Sequence, residues 1–256
     1  MSEDLIYEIL DGVGQVTFNR PSQRNALTFA MYERLAEICD DPGQGNEVPR
    51  ALVISGAGGA FAAGTDMSQF RAFDTAEDGW RYEENMDAIL ARIERCAVPT
   101  IAAIHGACTG GGAAIAACCD LRICDDRLKF GFPIARTLGN CLSIASLARL
   151  SALIGQGRVR ELIFTARLVR AEEAEALGLV MEISQDPLAR ALELAETLKG
   201  HAPLTMRVTK EGLRRLRIDG AGADDKDLIE TCYMSNDFKE GMEAFLGKRK
   251  PEFKGV

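Results

Sequence analysis

The first half of the chain alternates short apolar runs with longer segments in which apolar residues recur every three or four positions. The short runs predict buried strands, and the longer segments predict helices that cover them. The strands are predicted at Leu5–Leu10, Val13–Phe18, Arg50–Ser55, Thr100–His105 and Leu121–Cys124. Helices are predicted at Thr28–Cys39 and at about Glu77–Cys96, and a third helix is predicted to begin at the glycines of 110–112. A DG turn between the first two strands predicts a hairpin.

The second half is dominated by helical spacing. Helices are predicted from Ser143 onward, over LARLSALIG, VRELIFTA, AEEAEALG, Pro187–Lys199, Pro203–Leu216 and Asp224–Leu246. Strands that alternate with helices, followed by helices alone, are typical of an α/β core with a helical C-terminal region. The segment Asp219–Asp225 is expected to be an exposed link.

Charge narrows the classes of partner. The net charge of -8 in 256 residues argues against nucleic acid and anionic membranes, because phosphate-rich surfaces favour a basic face. A small anionic ligand remains compatible, since it needs only two or three local cations. No apolar run approaches the roughly 18–20 residues that cross a bilayer. The acidic N-terminal stretch lacks a signal core, so a cytoplasmic location is expected.

Eight cysteines and two histidines are the softer metal ligands of the chain. In a long chain that is expected in a reducing compartment, the cysteines are predicted to be buried thiols rather than disulfides. None of them forms a CxxC pair, so no metal site is predicted.

Two glycine-rich loops follow predicted strands: SGAGGAFAAGTD and HGACTGGGAA. The dinucleotide fingerprint fails because Gly56 and Gly58 are followed by Phe61 at the third glycine position, and neither loop matches GxxxxGK[ST]. Two interpretations stay open. The glycines could permit close helix packing, or their main-chain amides could form a cradle for a developing oxyanion.

Several motifs together resemble the crotonase (enoyl-CoA hydratase/isomerase) superfamily, over about residues 5 to 253. They are FNRPSQRNAL, GAFAAGTDMSQF, HGACTGGGAA, CDLRICDD, KFGFP, RELIFTARLVRAEEAEALGLV and EGMEAFLGKRKPEF. The resemblance implies an α/β fold with a spiral core of repeated β-β-α units, here residues 1–200. It also implies a helical C-terminal trimerisation region, here residues 201–256. Acyl-CoA substrates, trimers or dimers of trimers, and no tightly bound cofactor beyond coenzyme A as the substrate's carrier are expected.

Site residues follow from the resemblance position by position. The two oxyanion donors are expected to be the main-chain N–H groups of Thr65 and Gly111. Coenzyme A contacts are expected in three places. They are the segment of Arg24 and Ala26, the segment of Ala62, Gly64, Asp66 and Met67, and the C-terminal region at Phe245 and Lys248.

Hydratases of this family use two glutamates, and both are replaced here. One position holds Ala114, and the other holds Ile134 or Ala135, depending on the alignment. A positioned acid or base contributes about 10²–10⁴-fold in rate, so ordinary hydration is doubtful. Arg136, Asn140 and Cys141 are candidates for the acid or base that would replace the two glutamates. Glu83 and Glu84, on the helix predicted at about Glu77–Cys96, are further candidates, and of these two Glu84 is preferred.

The sequence therefore predicts an acyl-CoA-processing enzyme of the enoyl-CoA hydratase/isomerase type that stabilises a thioester enolate. One alternative is an acyl-CoA decarboxylase or a hydrolase of thioester or C–C bonds. A second alternative, from another class, is a non-catalytic acyl-CoA-binding or assembly subunit that has lost its carboxylates.

Overall fold

The computed structural model describes residues 4–45 and 47–256. Within them the strands are β1 (Leu5–Leu10), β2 (Val13–Phe18), β3 (Ala51–Gly56), β4 (Ala60–Ala62), β5 (Thr100–Ile104), β6 (Ala107–Thr109), β7 (Leu121–Cys124), β8 (Lys129–Gly131) and β9 (Glu182–Ile183). The helices are α1 (Phe29–Asp40), α2 (Ala76–Glu94), α3 (Gly111–Cys118), α4 (Ile134–Thr137), α5 (Ile144–Thr165), α6 (Ala171–Ala176), α7 (Pro187–Lys199), α8 (Pro203–Asp219), α9 (Lys226–Tyr233) and α10 (Asn236–Leu246).

The larger sheet has the strand order β1-β2-β3-β5-β7-β9. The hairpin β1–β2 is antiparallel, as the DG turn predicts, and the later pairs are parallel. All six residues of β3 and all five of β5 are buried, because helices or the second sheet cover both faces of the parallel strands. This explains why those strands are continuous apolar runs in the sequence.

A second sheet of three short parallel strands, in the order β4-β6-β8, lies outside what the apolar pattern predicts. Each strand has three residues, too few to show an alternation. Each directly follows a strand of the larger sheet and precedes a helix, so the chain repeats a β-β-α unit: β3-β4-α2, β5-β6-α3 and β7-β8-α4. The α/β fold with repeated β-β-α units is therefore confirmed.

The main hydrophobic core lies between the two sheets and the helices α1, α2 and α3. Helix α1 begins where the Thr28 hydroxyl accepts a hydrogen bond from the Met31 N–H, a common helix start. Leu35 and Ile38 on its apolar face are fully buried. Burying one such side chain contributes about 1.5–3 kcal/mol to the stability of the folded chain. Helix α7 covers the opposite face of the larger sheet.

The C-terminal third is helical as predicted apart from the short strand β9, and α8 continues to Asp219, three residues beyond its predicted end. The helix predicted over Asp224–Leu246 is two helices, α9 and α10, because Ser235 interrupts it. The Ser235 hydroxyl accepts from the Phe238 N–H and so starts α10. Gly155, at φ 76°, also bends α5.

The predicted link and the predicted thiols are both found. Residues 219–225 are exposed apart from the half-buried Ala223. The cysteines are free thiols, and six of them are buried. Over residues 4–45 and 47–256, no helix combines the length and apolar character that a membrane span needs.

Candidate active site

A cavity of about 380 Å³ lies beside the N-terminus of α3, between the two glycine-rich loops. Its walls come from the loop after β4, from one face of α2, from the start of α3 and from the segment that joins β8 to α5. The cavity is mostly apolar, with Phe70, Met86, Leu90, Phe132 and Leu142 among its lining residues.

The glycines of 110–112 turn the chain from β6 into α3. Gly110 has φ 54° and ψ −121°, a conformation that favours glycine, and it precedes the first residue of the helix. Ala114 donates its N–H to the Gly110 carbonyl at 2.9 Å, which leaves the earlier amides without helical acceptors. Among the described residues the Gly111 N–H has no acceptor, and Gly111 lines the cavity. Its amide stands at the positive end of the helix dipole.

The Thr65 amide is free for a different reason. The segment around Thr65 runs parallel to Leu27: Leu27 donates to the Gly64 carbonyl at 2.8 Å, and Asp66 donates to the Leu27 carbonyl at 2.8 Å. Because neighbouring amides of extended backbone face opposite sides, the intervening Thr65 N–H faces away from Leu27. No described residue accepts it, and Thr65 lines the same cavity as Gly111.

The two loops are in contact, which the sequence alone could not establish. A Cβ atom added to Gly110 would lie 3.4 Å from the Gly64 Cα atom, and one added to Gly111 would lie 3.2 Å from the Thr65 Oγ1 atom. Two N–H donors without protein acceptors therefore border one cavity from adjacent loops, the arrangement that stabilises an oxyanion.

Three hydroxyl groups hold this junction together. Tyr32 and Thr65 share a hydrogen bond of 2.8 Å between their hydroxyl oxygens, and Tyr82 approaches the same Thr65 oxygen at 3.4 Å. Burial raises the pKa of both tyrosines, so both are neutral hydroxyls at ordinary pH. Sequence patterns gave no signal for these tyrosines, because they are spaced only as apolar helix positions.

Two of the positions at which the sequence resemblance places the hydratase glutamates hold apolar side chains on the cavity wall. Ala114 and Ile134 both line the cavity. Ala135 is exposed and does not line it, so Ile134 is the residue that faces the site.

Glu83 is the charged side chain among the described residues that line the cavity. It lies on α2, on the face that also carries Tyr82, Met86 and Leu90 toward the cavity. Burial, and then the nearby Asp87 carboxylate, raise the pKa of Glu83, while the Ser143 main-chain N–H acts in the opposite direction. Glu84, the other candidate on this helix, is exposed and does not line the cavity, because adjacent helical residues point about 100° apart.

The other predicted acid, base or nucleophile positions are divided. Asn140 and Cys141 line the cavity, and both belong to an exposed segment at its edge. Arg136 is exposed on α4 and does not line the cavity, so the structure does not bring it together with the other candidates.

The predicted coenzyme A contacts near the N-terminus also divide. Gly64 and Met67 line the cavity. Arg24 is exposed beside the same loop, where its carbonyl accepts from the Ala63 N–H at 3.1 Å, and the half-buried Ala26 follows it. Ala62 is fully buried in β4 and does not line the cavity.

Asp66, Phe245 and Lys248 do not line the cavity. Asp66 organises its own loop, where its carboxylate accepts from the Ser68 N–H at 3.0 Å and pairs with Arg20 at 3.0 Å. These contacts lower the pKa of Asp66, with the Ser68 hydrogen bonds contributing most. Phe245 and Lys248 are exposed at the end of α10, and their contact with a coenzyme A bound in a trimer stays a prediction.

Comparisons with known proteins agree with this geometry. The sequence profile of the enoyl-CoA hydratase/isomerase family matches residues 8–256. A short-chain-enoyl-CoA hydratase of Clostridium acetobutylicum is 33% identical over 255 residues, which cover 97% of each chain. A crotonyl-CoA hydratase of Syntrophomonas wolfei is 34% identical, with 98% of each chain covered.

A solved structure extends the likeness to the fold. The crystal structure of an enoyl-CoA hydratase/carnithine racemase from Magnetospirillum magneticum superposes with a TM-score of 0.89 at 30% identity, covering 100% of this chain and 97% of the other. The family acts on acyl-CoA thioesters. The chain belongs to the enoyl-CoA hydratase/isomerase family, within the crotonase superfamily.

Proposed function

We propose that this protein is an acyl-CoA-processing enzyme that forms a thioester enolate in an oxyanion hole made by the main-chain N–H groups of Thr65 and Gly111. The observation that carries the proposal is the pair of unaccepted amides on touching loops at one cavity. When a proton leaves the α-carbon of a thioester whose carbonyl oxygen lies between the two amides, that oxygen gains negative charge. The hydrogen bonds from both amides to the oxygen then become stronger.

The apolar wall supports an acyl chain as the group inside the cavity. Two further aromatic rings support the wall: Phe29 and Phe73 pack against the lining residues Phe70 and Tyr82, mostly edge to face, and the centroid distances within this group lie between 5.0 and 6.3 Å. Water is poorly held by such a surface, and the low polarity strengthens hydrogen bonds from the amides to an oxyanion. Coenzyme A is the carrier that would extend from the cavity past the exposed Arg24 and Met67.

The apolar lining at Ala114 and Ile134 argues against water addition by two glutamates. Enolate formation needs a single base together with the oxyanion hole. For this reason we assign the enzyme to the enolate-forming chemistry of the family rather than to paired-carboxylate hydration.

We further propose that the C-terminal helices join copies of this chain in trimers. The described part of α8 to α10 exposes many large apolar side chains, namely Leu213, Leu216, Ile218, Ile229, Tyr233, Met234, Phe238, Met242, Phe245 and Leu246. Apolar surface of that extent is typical of an interface between protein chains.

The test is incorporation of deuterium at the α-carbon of acyl-CoA thioesters in heavy water, read by mass spectrometry. The panel comprises butyryl-CoA, crotonyl-CoA, 3-hexenoyl-CoA and malonyl-CoA. Exchange or turnover of at least one thioester is expected. Tight binding without exchange or turnover on the whole panel would instead support the non-catalytic acyl-CoA binder, and decarboxylation of malonyl-CoA without exchange on the others would support a decarboxylase.

A further inference from the structure

The cavity borders the proposed oxyanion hole but has no pair of carboxylates among its described lining residues, so its proton chemistry depends on what else lines it. Among the described lining residues, one carboxylate is present, and no lysine, arginine or histidine accompanies it. That carboxylate belongs to Glu83. If Glu83 removes a proton from the substrate, no other charged side chain among the described lining residues can donate a different proton in return.

The position of Glu83 is fixed relative to the oxyanion hole. Its neighbour Tyr82 reaches the Thr65 hydroxyl at 3.4 Å, and Thr65 is the residue that supplies one donor amide. Helix α2 therefore carries both the Glu83 carboxylate and a side chain that contacts the Thr65 loop, and Glu83, Thr65 and Gly111 all line the same cavity.

From this geometry we infer that Glu83, rather than a residue at position 114 or 134, is the catalytic residue that moves the proton when a β,γ-unsaturated acyl-CoA isomerises in this cavity. The inference rests on the proposed oxyanion hole. It assigns a 1,3-proton shift, in which the same carboxylate removes and returns the proton.

The step balances without water or a cofactor. A Glu83 oxygen bonds to a proton of C2 while the C2–H electron pair forms the C1–C2 double bond, and the carbonyl pair moves onto the oxygen held by the amides. The oxygen pair then restores the carbonyl, the C1–C2 pair becomes the C2–C3 double bond, and the C3–C4 pair takes the proton from Glu83 at C4. The product is the α,β-unsaturated thioester, with no net oxidation.

The surroundings of Glu83 suit a carboxylate that both accepts and donates a proton. Burial raises its pKa, so the protonated form persists to a higher pH than for an exposed glutamate. Other titratable or charged side chains lie around Glu83. Tyr82 on α2, Tyr32 on α1 and Cys141 before α5 line the same cavity. Asp87 lies one turn further along α2, and Arg149 on α5 lies 3.5 Å from the Asp87 carboxylate.

The test compares Glu83→Gln with Glu84→Gln, a matched change on the exposed side of the same helix. The probe is 3-hexenoyl-CoA, and the readouts are formation of 2-hexenoyl-CoA, deuterium exchange at C2, thioester binding and Tm. Glu83→Gln should lower both rates by about 10²–10⁴-fold with binding within a few-fold of the wild type. Glu84→Gln should leave them unchanged.

Stability separates a catalytic from a structural contribution of Glu83. A carboxyl whose pKa is raised by folding lowers stability once the pH exceeds that pKa, because the unfolded chain releases the proton more readily. Glu83→Gln should therefore keep or raise the Tm at pH 7, whereas loss of a structural contact would lower it.

A second variant, Asp87→Asn, removes a charge that raises the pKa of Glu83 and keeps an oxygen for the 2.7 Å hydrogen bond from the Ser143 hydroxyl. The acidic limb of the isomerisation rate should move to lower pH in this variant. Retention of more than a tenth of the wild-type rates in Glu83→Gln, or an unmoved acidic limb in Asp87→Asn, overturns the inference and leaves the oxyanion hole standing. Absence of exchange and turnover in the wild type on the whole thioester panel overturns both proposals.

Discussion

Replacing Gly111 with alanine will place a methyl group where the Tyr32 hydroxyl now lies. The added Cβ atom would be 1.6 Å from the Tyr32 oxygen and 2.9 Å from the Tyr32 Cζ atom. Tyr32 cannot withdraw easily, because its side chain is 1% exposed and its hydroxyl is bonded to Thr65 at 2.8 Å. The strain must therefore move the start of α3 or the Thr65 loop, and either movement displaces a donor amide.

The expected magnitude follows from these contacts. Overpacking of a buried site costs about 1–3 kcal/mol, and each kcal/mol corresponds to roughly 2–4 °C in Tm for a chain of about this size. Loss of one oxyanion donor lowers the rate by about 10²–10³-fold. We expect Gly111→Ala to show both effects in thermal unfolding and in α-carbon deuterium exchange.

The double variant Gly111→Ala/Tyr32→Phe tests the cause. Removing the hydroxyl leaves Cζ as the nearest atom, so much of the strain should be relieved. Tyr32→Phe alone should cost about 0.5–1.5 kcal/mol through its lost hydrogen bond. A stability change in the double variant that equals the sum of the single changes within about 0.5 kcal/mol would refute the reasoning, because close neighbours that clash must couple.

Two further predictions concern the same cavity. Thr65→Val keeps the main-chain N–H donor but leaves the buried Tyr32 hydroxyl without its partner, so the free energy of unfolding should fall by about 1–3 kcal/mol. The rate of deuterium exchange should fall less than tenfold. A larger loss of exchange would mean that the Thr65 hydroxyl, rather than its amide, serves the reaction. Ala114→Glu places a carboxylate on the cavity wall, and hydration of crotonyl-CoA should rise by up to about 10²-fold, with Ala114→Gln as the control; an equal rise in both variants would contradict a proton-transfer effect.

The apolar pattern predicted five of the six strands of the larger sheet, of which β3 and β5 are buried on both faces, but not the two-residue strand β9. The runs at β1, β2 and β7 have the predicted bounds, β3 is shifted by one residue at both ends, and β5 is one residue shorter at its C-terminal end. The pattern could not predict β4, β6 and β8, because three residues carry no period and their pairing depends on the larger sheet.

The glycine-rich loops show how far local sequence can reach. Close packing and free amides were alternatives in the sequence, and the structure shows both at one residue. Gly111 needs the absence of a side chain because of the Tyr32 hydroxyl, and its amide remains without an acceptor. Tyr32 is distant from Gly111 in the sequence, so only the fold reveals the contact.

The distinction between Glu83 and Glu84 was beyond the sequence for a related reason. Both residues are acidic and adjacent, and the side of α2 that faces the cavity depends on how that helix packs. Tyr82, Met86 and Leu90 mark this side, but their spacing is also that of ordinary core residues.

The most direct test of the oxyanion hole is a crystal structure of the protein with a non-hydrolysable acyl-CoA analogue. We expect the thioester carbonyl oxygen to lie within about 2.7–3.2 Å of both the Thr65 and the Gly111 main-chain nitrogens, with the acyl chain against Glu83. A carbonyl oxygen bound elsewhere, with both amides still without an acceptor, would contradict the account.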